Sequence, residues 1–295
     1  MFAALLLVTI VGAARGHPKY DGKLRDASDG SMEAYMIPPY QSNHASTLEV
    51  LPDGTLASAW FSGEKEEAPG CAIVVATLAP GSDQWSDAIT VSKDEKYSDQ
   101  NPVLFYDSKG DTLHLFHSHA PAESGESQST IFHLTSTDKG KTWSEPKEWL
   151  SSPGGFPRNR IIEAPNGGVI FPFYNASKSS KFGDENYAIM GISNAARDWD
   201  PSTWEFVAVK GSGDLVQPSV VQFGANKSLI SFFRDRRAEH IYRAEVCACV
   251  CVCVCLSVCL CVCVCLCLCL CVHACVRVRW WVPMLGRRRR PVRDA

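Results

Sequence analysis

Polar and charged residues recur at a regular spacing along most of this chain of 295 residues. Four similar segments open 57, 58 and 58 positions apart, at His44, Asn101, Asn159 (preceded by Arg158) and Gln217. A second set of polar side chains follows the later apolar stretch of these segments: Glu64, Glu66, Glu67, His117, His119, Tyr174, Arg234, Asp235 and Arg236. Side chains of these types can form hydrogen bonds with a polar ligand when they face it together. The pattern predicts a polar binding site, provided that the fold brings the two sets together.

The segments that carry these residues have the plan of a repeated β-hairpin. In each, two apolar β-rich stretches flank a turn, which lies at Asp53-Gly54, Lys109-Gly110, Asn166-Gly167 or near Gly224. A second pair of strands follows three of these hairpins, with Trp85, Trp143 and Trp204 in equivalent positions. Two hairpins per repeat make a four-stranded antiparallel sheet, which is the blade of a β-propeller. Helical periodicity is absent from the first 245 residues, which excludes a doubly wound α/β domain.

The antiparallel topology of a blade determines where the polar residues lie. The start of the innermost strand and the end of the second strand meet at one mouth of a propeller. The turn between the third and fourth strands lies at the opposite mouth. Both polar sets are therefore expected around one mouth. The alternative is that these positions are polar only because loops contact water.

One turn between a third and a fourth strand carries a distinct motif. Residues 136–143 read Ser-Thr-Asp-Lys-Gly-Lys-Thr-Trp. Short polar side chains can bind the amides of such a turn, glycine permits a positive φ, and tryptophan packs below the sheet. The residues predicted to have this structural role are Ser136, Asp138, Gly140, Thr142 and Trp143.

This Ser-x-Asp-x-Gly-x-Thr-Trp motif resembles the Asp-box of the sialidase superfamily, and residues 36–245 resemble its sialidase-like branch. The resemblance implies an all-β, six-bladed β-propeller, of which about three and a half blades are present. It also implies an exo-glycosidase that acts on terminal sialic or other acidic sugars of glycoproteins, glycolipids or polysaccharides. Such a mechanism needs no cofactor.

The resemblance further implies roles for single residues. Sialidases bind the substrate carboxylate with three arginines, and they use a tyrosine nucleophile with a glutamate partner and an aspartate as acid/base. Arg234 matches one of the arginines, and Glu66 is the candidate general acid. His44 stands where another arginine is expected and Gly70 where aspartate is frequent, so the alternative is a non-catalytic glycan-binding propeller. The remaining substrate-binding candidates are His44, Asn101, Arg158 and Gln217. The tyrosine and the third arginine would belong to later blades, and without them the chain is expected to be inactive.

The N-terminal region predicts secretion. Residues 1–16 contain a short apolar run followed by small residues, as in a signal peptide, and residues 17–43 form a separate segment before the propeller of residues 44–245. Asn175 and Asn226 lie in glycosylation sequons. The first 245 residues carry a net charge of −9, which argues against nucleic-acid binding. His117 and His119 lack a third ligand and are interpreted as surface loop residues, so no metal site is expected.

The C-terminal segment, residues 246–295, differs in composition from the rest of the chain. It alternates cysteine with valine or leucine and ends in an arginine-rich stretch. Alternation without a CxxC pair disfavours a metal-binding tract. A membrane anchor is one remaining interpretation, because residues 246–276 carry no charge apart from His273. The other, which we favour, is the translation of a thymine–guanine dinucleotide repeat, in which case the segment is a gene-model artefact rather than evolved protein sequence.

Overall fold

The computed structural model describes residues 19–176, 186–223, 228–236, 240–246 and 276–279. They form four antiparallel sheets arranged as blades of a β-propeller, preceded by a short hairpin of β1 (Arg25–Asp26) and β2 (Met32–Glu33). Blade 1 contains β3 (Ser42–Val50), β4 (Leu56–Gly63), β5 (Ala72–Leu78) and β6 (Ile89–Ser92). Blade 2 contains β7 (Tyr97–Asp107), β8 (Thr112–Pro121), β9 (Thr130–Ser136) and β10 (Lys147–Leu150).

Blades 3 and 4 continue the same strand order. Blade 3 contains β11 (Gly155–Pro157), β12 (Ile162–Glu163), β13 (Val169–Asn175), β14 (Tyr187–Ile192) and β15 (Glu205–Ala208). Blade 4 contains β16 (Leu215–Phe223), β17 (Ser228–Asp235), β18 (Ile241–Val246) and β19 (Val276–Arg279). Two single 3-10 turns, Glu126–Gln128 and Pro201–Thr203, are the only helical elements of the described residues. None of the helical turns there is long or apolar enough to cross a membrane.

The predicted all-β propeller is confirmed. The described residues form four complete blades, whereas about three and a half were expected. The sequence analysis placed the end of the propeller at residue 245, three strands into blade 4. In the structure β19 pairs with β18 and completes that blade. The Val-Arg-Val-Arg sequence of β19 has the two-residue alternation of a strand, which the cysteine-rich composition around it obscured.

The first strand of each blade is irregular at the same place. Its register shifts between His44 and Thr47 in blade 1, and likewise after Gln100 in blade 2 and Val216 in blade 4. Ala45, Asn101 and Gln217 have positive φ angles there, of 54°, 50° and 52°. In blade 3 the strand is interrupted between β11 and β12. A bulge re-aims the strand and costs backbone strain, so these repeated positions shape one end of every blade.

The hydrophobic core lies between successive blades. Phe61 and Cys71 of blade 1 pack against Leu115 of blade 2, and all three are fully buried. Burial of apolar surface at each interface is favourable by about 25 cal/mol per Å². This free energy holds neighbouring sheets face to face.

The interface between blades 2 and 3 also contains a pair of histidines, of which His114 is buried and His133 half-buried. Nδ1 of His114 lies 2.8 Å from Nε2 of His133, with the two rings nearly parallel. Trp199 stacks on His114 with the ring centroids 4.0 Å apart, and its Nε1 donates to the carboxylate of Asp107. Burial lowers the pKa of His114 to about 4 and that of His133 to about 3. Both rings are therefore neutral near neutral pH, and one can donate its N–H to the other.

The N-terminal segment covers the free face of blade 1. Leu24, Ala34 and Met36 pack against a cluster that contains Trp60 and Trp85. The side chain of Gln84 donates to the carbonyl of Asp21, which ties the segment to the blade. Blade 4 lacks a comparable cover among the described residues, and four of its apolar side chains are exposed: Val221, Phe223, Phe232 and Ile241.

The Asp-box has the structural role that the sequence predicts. Gly140 donates its amide to the Ser136 hydroxyl, and both the amide and the hydroxyl of Thr142 donate to the Asp138 carboxylate. Trp143 Nε1 donates to the Gly140 carbonyl, and Gly140 has a φ of 85°. Burial opposes ionisation of Asp138, but these hydrogen bonds outweigh it and lower its pKa to about 2. Trp85 and Trp204 follow the third strands of their blades in the same way.

The hairpin turns follow the prediction with one local difference. Gly54 and Gly167 have positive φ angles in their turns. In blade 2 the residue with positive φ is Asp111 rather than the neighbouring Gly110. The turn near Gly224 lies outside the described residues.

Candidate functional site at one mouth of the propeller

His44 and Glu66, predicted from different strands, come together at the mouth formed by the strand bulges. Nδ1 of His44 lies 3.6 Å from Oε2 of Glu66, and both side chains are exposed. His44 is at the bulge of β3, whereas Glu66 lies in the loop between β4 and β5. The antiparallel pairing of β3 with β4 places these two positions at the same end of the blade.

Tyr174 lies at the centre of a cluster of charged residues at this mouth. It is near the end of β13, only 1% exposed, and its hydroxyl donates to Oε1 of Glu126 at 3.0 Å. Burial raises the pKa of Tyr174 well above its usual range, while the positive charge of Arg234 opposes the shift. The charge of Glu66 adds to the shift and that of Arg158 opposes it, so these charged groups lie close enough to act on the hydroxyl. Tyr174 is therefore a neutral hydrogen-bond donor.

Three guanidinium groups surround Tyr174. Arg158 is partly buried, which lowers its pKa, and its Nη1 donates to the carbonyl of Ser46 in blade 1 at 3.4 Å. Arg234 is exposed near the end of β17. The guanidinium of Arg236 lies 5.8 Å from the centroid of the Tyr174 ring and pairs with the Glu126 carboxylate. We call Glu66, Glu126, Arg158, Tyr174, Arg234 and Arg236 the mouth cluster.

The mouth cluster can recognise an anion. Its arginines come from blades 3 and 4, and each can present paired N–H donors to a carboxylate. Glu66 faces the same region from blade 1 and can exchange a proton with a bound ligand. The fold therefore brings together three of the predicted site residues, Glu66, Arg158 and Arg234, with His44 beside Glu66.

Comparison with known proteins places the chain in a family. The BNR repeat-like domain matches residues 54–248, which is more than half of the chain. The chain belongs to the BNR repeat-like family. No curated protein sequence matches it.

Solved structures similar to this BNR repeat-like chain include several sialidases. A Hadza microbial sialidase superposes with a TM-score of 0.58 at 14% identity, over 70% of this chain and 44% of that one. The Trypanosoma rangeli sialidase in complex with sialic acid gives 0.55 at 14% identity, over 78% and 39%. The leech intramolecular trans-sialidase gives 0.56 at 13% identity, over 78% and 52%. At these identities the likeness shows the fold, and this chain spans about half or less of the length of each.

Asn101 and Gln217 have positions in this BNR repeat-like fold that give them backbone roles. Asn101 is 6% exposed and occupies the bulge of β7. Gln217 occupies the bulge of β16, where its carbonyl accepts a hydrogen bond of 2.8 Å from Nδ2 of Asn159. Asn159 thereby joins blade 3 to blade 4. Substrate binding by Asn101 and Gln217 stays a prediction.

Gly70 has a backbone conformation that suits glycine. Its φ is 72°, and a Cβ there would lie 2.9 Å from a carboxylate oxygen of Glu95. An aspartate at this position would be strained and would meet a like charge. The candidate acid at this mouth is therefore Glu66, which lies in the loop that follows the end of β4 at Gly63.

The interpretation of His117 and His119 as surface loop residues is wrong. Both lie on β8, His117 is fully buried, and Nδ1 of His119 lies 2.6 Å from Oδ1 of Asp99. Burial raises the pKa of Asp99, but His117, His119 and Ser92 outweigh it and the pKa is lowered. Two-residue alternation places both imidazoles on one face of the strand, between blades. The described residues contain no group of three side chains able to hold a metal ion.

Glu126 is the residue of the mouth cluster that the sequence analysis missed. It lies in the loop between β8 and β9, beyond the strand ends whose polar residues were predicted to line the mouth. The loop from a second to a third strand begins at the same mouth, and this position in the loop is the sequence signal that points to Glu126. Contact with Tyr174 depends on the loop conformation, which sequence spacing does not encode.

The two sequons differ in what the structure describes. Asn175 is the last residue of β13, 6% exposed, with its Nδ2 donating to the Pro153 carbonyl. A glycan at Asn175 would require the amide to leave that bond, and its attachment stays a prediction. Asn226 lies outside the described residues, as do residues 1–16.

Proposed function

We propose that this protein is a sialidase-like glycoside hydrolase whose mouth cluster binds the carboxylate of a terminal sialic or other acidic sugar. The observation that carries the proposal is the convergence of Arg158, Arg234 and Arg236 around Tyr174. Three guanidinium groups at one mouth suit a monoanionic sugar because each can form paired, charge-assisted hydrogen bonds. Sialidases among the similar solved structures support the same class of substrate.

In this proposal, Glu66 acts as the general acid. Its carboxylate is exposed beside His44, where it can protonate the oxygen that leaves as the glycosidic bond breaks. Tyr174 is unsuited to act as the nucleophile, because its hydroxyl is buried and its pKa is raised. The described residues thus supply anion binding and a proton donor, and the nucleophile of a complete site would come from elsewhere in a longer propeller.

We further propose that the four blades are part of a six-bladed propeller. The exposed apolar side chains of blade 4 support this, since they resemble those buried between blades 1, 2 and 3. If blades are missing, this chain is inactive as an enzyme. Secretion through residues 1–16 belongs to the same proposal, and attachment to a membrane through residues 246–276 is its alternative.

A second candidate function is binding without catalysis. The left-handed Gly70 and the imidazole of His44 favour it, since they occupy positions where sialidases carry an acid and an arginine. Both candidates predict binding of an acidic sugar, and only the first predicts turnover, provided that the propeller is complete.

The experiment that tests the proposal measures binding and release on the same purified protein. N-acetylneuraminic acid is titrated by calorimetry, with N-acetylmannosamine as the neutral comparison, and release from 3′-sialyllactose is followed separately. Binding with turnover supports an active hydrolase, and binding without turnover supports either the glycan-binding alternative or a hydrolase that lacks blades. No binding of the acidic sugar would overturn the proposal.

A further inference from the structure

Glu126 is placed so that a carboxylate of the protein occupies the anion site. Its Oε1 accepts the hydrogen bond from Tyr174, and its Oε2 pairs with the guanidinium of Arg236. Arg236 also donates from Nε to Oδ1 of Asn186 at 3.0 Å. Both carboxylate oxygens of Glu126 are thus engaged by mouth residues of blades 3 and 4, as those of a bound acidic ligand would be.

We propose that Glu126 competes with an acidic sugar for Arg236 and so sets the affinity of the mouth for anions. This inference rests on the proposed function. When a sugar carboxylate binds, it takes the place of the Glu126 carboxylate, and Glu126 then turns toward solvent. The competition is between two carboxylates for one guanidinium, so neutral sugars are unaffected by it.

The geometry allows such a displacement at small cost. The side chains of Arg236 and Glu126 are 38% and 28% exposed, and an exposed ion pair contributes little to stability. The preceding Gly125 has a φ of 72°, and no atom lies within 4 Å of where its Cβ would be. Glycine in open space gives the loop a pivot next to Glu126.

The loop that carries Glu126 also contacts the loop that carries Glu66. The amide of Glu123 donates to the carbonyl of Glu67 at 3.1 Å, and Lys65 Nζ lies 3.5 Å from the Glu123 carboxylate. Displacement of Glu126 therefore occurs beside the candidate general acid. Ligand binding at Arg236 would therefore also affect the loop that carries Glu66.

The test compares Glu126→Gln with the wild-type protein in calorimetric titrations. Glutamine keeps an acceptor for Tyr174 but removes the charge that competes with the ligand. We expect N-acetylneuraminic acid to bind ~2–5-fold more tightly to the variant, since a partly exposed ion pair of up to about 1 kcal/mol no longer has to be broken. N-acetylmannosamine should be unaffected. Glu126→Ala should show the same gain, which guards against a folding defect in either variant.

Glu123→Gln is the matched control, because it removes a charge from the same loop without touching Arg236. Its affinity for N-acetylneuraminic acid should equal that of the wild type. Unchanged or weaker binding by both Glu126 variants, with unchanged melting temperatures, would overturn the competition.

A titration with acetate separates this outcome from failure of the proposed function. If no form binds the sugar but Glu126→Gln binds acetate more tightly than wild type, the competition stands and the sugar assignment falls. If acetate also shows no gain, the competition falls too.

Discussion

The hydroxyl of Tyr174 donates a hydrogen bond of 3.0 Å to Oε1 of Glu126, and this bond links blade 3 to a loop of blade 2. Arg236 of blade 4 contacts both residues. Three blades therefore meet at one polar contact on the mouth of the propeller. Substitutions at this contact and around it should change the affinity for a ligand and the stability of the blades to different extents.

Arg234→Ala should weaken binding of N-acetylneuraminic acid by ~10–100-fold, because a charge-assisted hydrogen bond contributes about 1.5–3 kcal/mol. Arg234→Lys should recover part of the loss, since lysine keeps the charge but not the paired donors. Calorimetric titration measures both. Lys147→Ala removes an exposed cation of β10, far along the blade from the mouth, and should leave affinity unchanged. Equal losses in Arg234→Ala and Lys147→Ala would point to net charge rather than to a specific contact.

Tyr174→Phe should lower the free energy of unfolding by roughly 1–2 kcal/mol, through loss of the hydrogen bond to Glu126. The buried ring remains, so packing against Phe156 is kept. Urea unfolding measures the change. Affinity for the acidic sugar should stay within ~3-fold of wild type. If turnover is present in the wild type and disappears in Tyr174→Phe while binding persists, Tyr174 takes part in the chemistry and its assignment as a buried donor is wrong.

Asp138→Ala should destabilise the protein by about 1–3 kcal/mol, because the amide and hydroxyl of Thr142 lose their acceptor. The pKa of Asp138 is about 2 in the folded protein and ~4 in an unfolded chain. Its ionised form thus stabilises the fold above pH ~4, and this contribution is lost as the pH falls toward 2. Thermal unfolding between pH 2 and 7 measures both effects. Asp87→Asn, at an exposed position before β6, should change neither the stability nor its acid dependence.

The His114–His133 pair predicts a loss of stability in mild acid. Burial lowers the pKa of His114 to about 4 and that of His133 to about 3, below the ~6.5 of an unfolded chain. The unfolded chain therefore binds protons first as the pH falls. The free energy of unfolding should drop by roughly 2–4 kcal/mol between pH ~6.5 and 4, and level off once the folded state also binds protons.

The double substitution His114→Phe with His133→Phe keeps two flat rings in the stack and removes both titrating groups. It should flatten the pH dependence of urea unfolding in that range. His44→Ala removes an exposed imidazole and should leave the slope as in the wild type. A double variant with the wild-type slope would assign the acid sensitivity to other groups.

The repeat pattern predicted the propeller because each blade is built from local contacts. Two-residue alternation and Asx-Gly turns are visible within a few residues, and Ser136 to Trp143 form their hydrogen bonds within a single turn. Blade topology also predicted that Glu66, Arg158 and Arg234 share one mouth, and they lie near Tyr174 there. These features can be predicted from the sequence because they depend on pairing between neighbouring strands.

The features that were missed depend on contacts distant in the sequence. Glu126 reaches Tyr174 and Arg236 only because blades 2, 3 and 4 curve around one axis. His117 is buried because blade 1 covers that face of β8. The residue type alone does not indicate that another blade packs there. The pairing of β19 with β18 joins residues about 30 positions apart, across a cysteine-rich repeat in which no single stretch stands out as the partner strand.

The N-terminal segment that covers Trp60 and Trp85 has a consequence for how the chain acquires its structure during synthesis. Residues 19–92 contain blade 1 together with the cover for its free face, so this unit can bury one face of its sheet before the other meets blade 2. Each later blade then docks on a surface that already exists. We therefore expect the described blades to fold in order from blade 1 to blade 4, the blade on which Phe232 and Ile241 stay exposed.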